Sequence, residues 1–401
     1  MSKPLKILFL TYDLFYPLVS GGKIRAYYLI KNLARKHQIT LFSYYRDENQ
    51  KQYLTEIKKY CPKVFLFKRR KPWSWQNLLR SFLTPLPFAS ATYYSRDLKR
   101  ALIKELKKNQ YDLVHFESFY PALYLPLVKR LGVKTVMGNE NLEYQVYARY
   151  ASSRRFFLFR QLLKLEVWRM RLYEQRLWQL ADVNLAPSGG EAKVIEKITK
   201  KDCSIIPNGV DPGVFSQVKY REKAKTLIFV GTLIYQANDD AMKYFFKEIH
   251  PEIKKQKEEV EFILLSWYQP DWLKKYLAGQ SVKLIKDKKT AVAEFLVKAD
   301  VLVAPMRIAG GTNIKVLEAM AAGLPVVTTS IGIEGIKAKK GKEVIVADNP
   351  KNFAGETVKL LINRKRRQKL GLAGKALVKR LYNWTKITKK LEKAYQELGR
   401  Q

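Results

Sequence analysis

Between Arg307 and Val327 the chain reads RIAGGTNIKVLEAMAAGLPVV. Three charged residues, Arg307, Lys315 and Glu318, gather here around the turn Gly310, Gly311 and Thr312. The preceding apolar run, DVLVAPM, reads as a buried strand, and the residues after the glycines read as a helix. Two glycines let the backbone approach a ligand closely. The first turn of a helix offers unpaired N–H groups and the positive end of a dipole, which suits a phosphate. Arg307 supplies a planar fork for the same kind of anion. Lys315 lies in the first helical turn, and Glu318, three residues on, shares its face. A carboxylate beside a phosphate seat is no second phosphate ligand; it suits paired hydroxyls such as a ribose diol. The plainer reading is a strand, a turn and a helix with solvated charges. Convergence of Arg, Gly-Gly, Lys and Glu at one strand end favours a site. It is not a P-loop, because G-x-x-x-x-G-K-[ST] occurs nowhere in the chain.

The elements that must position these residues repeat along the chain. KILFLTYD, QITLFSYY, KVFLFK, YDLVHFE, VKTVMGNE and DVNLAPS read as strands, most with helical patterns between them. After SIIPNGVD the rhythm restarts with KTLIFVGT, VEFILLS, VKLIK, DVLVAPM and LPVVTTS. Strands alternating with helices predict parallel sheets covered on both faces. Two series predict two doubly wound, Rossmann-like domains facing a central cleft, an α/β fold with ligands at the carboxyl ends of the strands. We expect domains at 1–206 and 207–383, divided near the turn-rich Pro207–Val218, with a last helix at 384–399 packing back on the first domain.

The bulk numbers agree with two cores: 401 residues, of which 47% are hydrophobic. The two cysteines, Cys61 and Cys203, lie far apart and suggest neither a metal site nor a disulfide framework. The opening MSKPLKILFLTYD clusters only about six apolar residues, too few for a signal core. No uncharged run approaches the roughly 20 residues of a membrane span. These features predict a cytoplasmic protein. The net charge of +39 predicts an anionic partner (nucleic acid, a membrane surface or a phosphorylated substrate), with a general lysine bias as the plainer explanation.

LEAMAAGLPVV resembles the donor-site motif of the retaining GT-B glycosyltransferases, the group 1 (family four) enzymes. In that motif a Glu, seven residues and a second Glu precede AMA-x-G-x-PVV. The second Glu falls on Glu318, which the resemblance implies binds the nucleotide ribose. The first, a donor-sugar contact in the family, falls on Gly310. The sequence is thus similar to the branch with P-x-R-x-x-G-G-T-x-x-K-x-L-E. YPLVSGGKIRAYYLIKNLA resembles the N-terminal glycine loop, in which Gly21 and Gly22 would approach the donor phosphates; a simple βα turn is the plainer alternative. IIPNGVDPGVF resembles the interdomain turn, and ADVNLAPSGGEAKVIEK a late unit of the first domain. LIFVGTLIYQANDD resembles the first unit of the donor domain, with Gly231 among its donor contacts. It lacks the Arg and Lys that most relatives place there, so Arg307 and Lys315 become the substitutes.

The resemblance implies a metal-independent, retaining, hexosyl-type transfer of a sugar from a nucleotide sugar to an acceptor hydroxyl. No cofactor is implied beyond that co-substrate. Charge developing on the leaving diphosphate would be met by Arg307, Lys315 and the helix N-terminus. On the acceptor side, Glu117 and Glu140 are candidates to bind or deprotonate the hydroxyl, with Asn141 as a further contact. Hydrogen bonding that merely orders these loops is the equal alternative. His115, in a strand, reads as a packed residue.

Two segments stand out for charge. Lys68–Phe88 (KRRKPWSWQNLLRSFLTPLPF) has five basic residues, no acidic ones and two tryptophans. Ser152–Trp178 mixes arginines with aromatic and aliphatic residues at helical spacing. Both suit an anionic membrane interface, a peripheral place on its inner face, and a saccharide or lipid-linked acceptor in cell-envelope polysaccharide or glycolipid synthesis. The alternative for the second segment is a helix whose apolar side is core. Three other functions stay open: a nucleotide-sugar epimerase, a non-catalytic sugar-nucleotide binder and a nucleic-acid-binding protein. The last lacks a reading module, and its basic residues are dispersed, so nucleic acid is the disfavoured partner.

Overall fold

The computed structural model describes residues 3–152, 157–279, 281–286, 292–308 and 312–400. The chain divides into two compact units: 1–207 with 387–401, and 208–386.

The first unit is built on a seven-stranded sheet: β1 (Lys6–Thr11), β2 (Gln38–Tyr45), β3 (Lys63–Lys68), β4 (Leu113–Glu117), β5 (Thr135–Gly138), β6 (Val183–Ala186) and β7 (Cys203–Ile205). The strands run parallel in the order β3-β2-β1-β4-β5-β6-β7. Near-continuous apolar runs make this possible. Leu8, Leu10, Phe42, Val114, Phe116 and Met137 are fully enclosed, as strands covered on both faces must be. Met170, Leu177 and Trp178 of the helix Phe157–Leu180 pack into the same core. The helix Trp384–Arg400 returns to this unit, where Lys36 bonds Glu392 at 2.9 Å and Lys134 donates to the carbonyl of Leu398.

The second unit carries a six-stranded parallel sheet: β8 (Thr226–Val230), β9 (Glu261–Leu265), β10 (Val282–Ile285), β11 (Val301–Ala304), β12 (Val326–Thr328) and β13 (Ile345–Val346), in the order β10-β9-β8-β11-β12-β13. Leu227, Phe229, Phe262, Leu264, Leu302, Val303 and Val326 form its core. The edge strands β7 and β13 have three and two residues, too few to show an apolar pattern in sequence.

Each sheet reverses its winding once. In the first unit the reversal lies between β1 and β4, and in the second between β8 and β11. Loops leaving such a pair diverge, and open a crevice at the carboxyl ends of the strands.

Candidate functional site

In the second unit the loops after β8 and β11 meet through a buried lysine. Lys315, on the helix Ile314–Ala321, donates from Nζ to Asn238 Oδ1 at 2.5 Å. The same nitrogen lies 4.3 Å from the ring centroid of Phe229. Asn238 is held in turn by donating from Nδ2 to the carbonyl of Thr232 at 2.9 Å, which leaves its oxygen to accept from the lysine. Gly231, at the turn after β8, has φ +151°, and a Cβ there would come within 2.6 Å of Asn238 Nδ2. Glycine therefore serves both the backbone angle and the approach of Asn238. Sequence reading passed over Asn238 because it carries no charge. The signal that could have found it is its place one turn into the helix after β8.

Burial pushes the Lys315 ammonium down to about 7, against the opposing pull of Glu318. Burial likewise pushes the Glu318 carboxyl up to about 7, opposed by Lys315. One added unit charge decides the protonation of such a pair. Thr312, buried just before the helix, has a hydroxyl with no hydrogen-bond partner among the described residues, and its carbonyl accepts from Asn208 Nδ2 at 3.2 Å. The side chain of Asn313, at the helix start, makes no capping bond. Both features leave polar groups for a ligand. Gly310 and Gly311 lie outside the described residues.

Arg307, the other cation expected at the phosphate, has a partner in this unit. Its fork is closed on Asp240, Nε to Oδ2 at 3.0 Å and Nη2 to Oδ1 at 2.7 Å, with the guanidinium 4.5 Å from the ring of Tyr244. The buried cation of this region is Lys315.

In the first unit, Glu117 ends β4 and is 1% exposed. Arg25, from the helix Gly21–Leu33, donates Nε to its Oε1 at 2.6 Å and Nη1 to the carbonyl of Ile206 at 2.7 Å. His115 Nε2 stands 2.7 Å from Glu117 Oε2, and Tyr395 Oη 2.6 Å from His115 Nδ1. Burial alone would raise the Glu117 carboxyl, but the Arg25 guanidinium and the His115 bond outweigh it and hold it at about 2. An ionised carboxylate only accepts, so His115 donates from Nε2 and accepts a hydrogen bond from the Tyr395 hydroxyl at Nδ1. Burial keeps that imidazole neutral by lowering its pKa. Glu117 is thus enclosed and paired on both carboxylate oxygens, the arrangement expected of hydrogen bonding that orders the loop. His115 is a packed residue, stacked on Phe9 with centroids 4.2 Å apart.

Glu140, just past β5, behaves differently. Burial, reinforced by the charge of Glu117, pushes its carboxyl up to about 8, although Tyr12 hydrogen-bonds to it. Its Oε1 has no hydrogen-bond partner among the described residues. Gly22 stands against it: a Cβ there would lie 2.1 Å from Tyr12 Oη and 2.6 Å from Glu140 Oε2. Within its own unit the bare face of Gly22 admits Tyr12 and Glu140, where the sequence reading had it admit a phosphate. Gly21 is exposed. Asn141 hydrogen-bonds Glu143, a buried carboxyl that burial raises to about 7 and that accepts from Tyr120 at 3.0 Å. Among the described residues, no three His, Cys, Asp or Glu side chains are grouped to hold a metal ion.

Two α/β units with parallel sheets, and polar residues gathered at the reversal of each, define the architecture of GT-B enzymes. Residues 19–214 match the family model for glycosyltransferase family 4, and residues 224–363 the model for glycosyl transferases group 1. With both halves matched, the chain belongs to the group 1 glycosyltransferases. An uncharacterized 44.6 kDa protein in the cps region of Klebsiella pneumoniae is 23% identical over 371 residues, 87% of this chain and 89% of that one. Among solved structures, sucrose-phosphate synthase from Thermosynechococcus elongatus superposes with a TM-score of 0.74 at 16% identity, covering 98% of this chain and 99% of the other. HepE of Anabaena, solved with UDP-glucose, superposes at 0.69 with 12% identity, covering 98% and 100%.

Proposed function

We propose that the protein moves a sugar from a nucleotide sugar to an acceptor hydroxyl with retention and without a metal, in the synthesis of an envelope polysaccharide or glycolipid. The observation that carries this is the Lys315–Asn238 bridge between the loops after β8 and β11, with Glu318 on the same helix. Lys315 and the first turn of its helix take the diphosphate, whose negative charge grows as the bond to the anomeric carbon breaks. Glu318 accepts from the ribose diol, and Thr312 supplies a hydroxyl. That HepE was solved with UDP-glucose supports a nucleotide sugar as the donor.

The acceptor, a saccharide or a lipid-linked one, is met by Glu140 and Tyr12. With a carboxyl at about 8, Glu140 is protonated at neutral pH and donates a hydrogen bond to the acceptor. The acceptor proton then passes to the departing phosphate. The test is a screen of nucleotide sugars for thermal stabilisation and turnover, repeated with Lys315→Ala and Glu318→Ala. We expect one donor class to stabilise the wild type and neither variant. Full donor affinity and activity in both variants would overturn the assignment. NMR of the product's anomeric proton checks retention, turnover in excess chelator checks metal independence, and an epimer formed without acceptor would replace transfer with epimerisation.

A further inference from the structure

The helix Trp75–Leu83 is inside out. Its buried side chains are polar: Asn77 donates to the carbonyls of Lys71 and Pro72, and Ser81 to that of Leu86. Its exposed ones, Gln76 apart, are Trp75, Leu78, Leu79, Phe82 and Leu83, at spacings of three and four that put them on one face. Trp75 is 69% exposed, Phe82 87%, and Trp73, just ahead of the helix, 78%. A helix of a water-soluble surface shows the opposite arrangement.

This inversion is anchored. Arg169, from the helix Phe157–Leu180, donates to the carbonyls of Ser81, Thr84 and Leu86 and to the hydroxyl of Ser81. Glu166, one turn earlier, accepts from the N–H of Phe88. The second helix shows solvent a matching stripe: Leu162, Leu165, Trp168 and Leu172. Its two acidic residues turn inward, Glu166 to Phe88 and Glu174 to the N–H groups of Glu143 and Tyr144. Lys164 and Arg171 stay exposed beside the stripe, as do Arg70 and Lys71 ahead of the first helix.

We infer that these two helices form one face that docks on an anionic lipid bilayer, with the aromatic and leucine side chains in the interface and the basic ones on the headgroups. Charge selects the occupant. A second copy would set basic residues against basic residues, whereas an anionic bilayer answers both the apolar face and its cationic border. The inference stands apart from the proposed reaction, since none of these residues belongs to the candidate site.

The experiment is flotation of the full chain with vesicles of phosphatidylcholine, with and without phosphatidylglycerol, at low and high salt. Binding that needs the anionic lipid is expected, with a loss of at least tenfold in Trp75→Ser/Phe82→Ser and a comparable loss in Arg70→Glu/Lys71→Glu. Both pairs are exposed, so thermal melts should match the wild type and exclude misfolding. Equal binding to neutral vesicles, no binding, unchanged binding by the Trp75/Phe82 variant, or self-association that the same substitutions abolish would overturn it.

Discussion

The two sheet reversals handle buried charge in opposite ways. At the first, between β1 and β4, Glu117 is locked in an ionised state by Arg25 and His115, and the network reaches the chain on either side through Ile206 and Tyr395. At the second, between β8 and β11, Lys315 and Glu318 are both drawn to about 7 and lack a full counter-charge. A buried ion pair with its partners in place is part of the scaffold. A buried cation left near its titration point awaits an anion. Buried charge at the two reversals is therefore treated differently, and partners, more than residue type, decide how.

The largest expected effect breaks the first arrangement. Glu117→Ala leaves Arg25 buried without its carboxylate and should destabilise the first unit by about 3–5 kcal/mol in urea denaturation. Arg25→Leu combined with Glu117→Leu should lose much less. Equal losses would show that the pair is not the cause.

Next comes Lys315→Met. Donor affinity should fall at least ~100-fold, or ~2.7 kcal/mol, because the buried lysine beside the candidate phosphate seat is gone. Stability should move the other way. A lysine at about 7 in the folded state and near 10.5 unfolded is protonated only in the unfolded chain across that window, so wild-type stability rises with pH through it. The variant should lack that rise and melt higher at pH 7. A lower melting temperature with intact donor binding would reverse the comparison.

The smallest effect belongs to Arg307→Ala. With its fork on Asp240 and half exposed, Arg307 should contribute under tenfold to kcat/KM, the measure of a surface pair. A loss as large as that of Lys315→Met would return Arg307 to the phosphate.

Much of this was legible in sequence, for identifiable reasons. Continuous apolar runs marked β1–β6 and β8–β12, because strands covered on both faces have no polar alternation. The types and spacing of Lys315 and Glu318 suggested a phosphate and a diol. What stayed hidden were partners remote in sequence. Glu117 meets Arg25 across 92 residues, and nothing local announces it. Asn238 and Asp240 read as ordinary helix residues until the fold set them beside Lys315 and Arg307. The basic, tryptophan-bearing segment 68–88 was visible, but only burial revealed that its helix turns its apolar face outward.

The most direct test of the central claim is the proton balance of donor binding. Nucleoside diphosphates (UDP, GDP and ADP in turn) would be titrated into the protein at pH 8 by calorimetry, in two buffers of different ionisation enthalpy. Lys315 is mostly uncharged there, so binding of the diphosphate should draw in roughly one proton, and Lys315→Met should draw in none. Binding with no buffer dependence, or with the same uptake in the variant, would contradict the account.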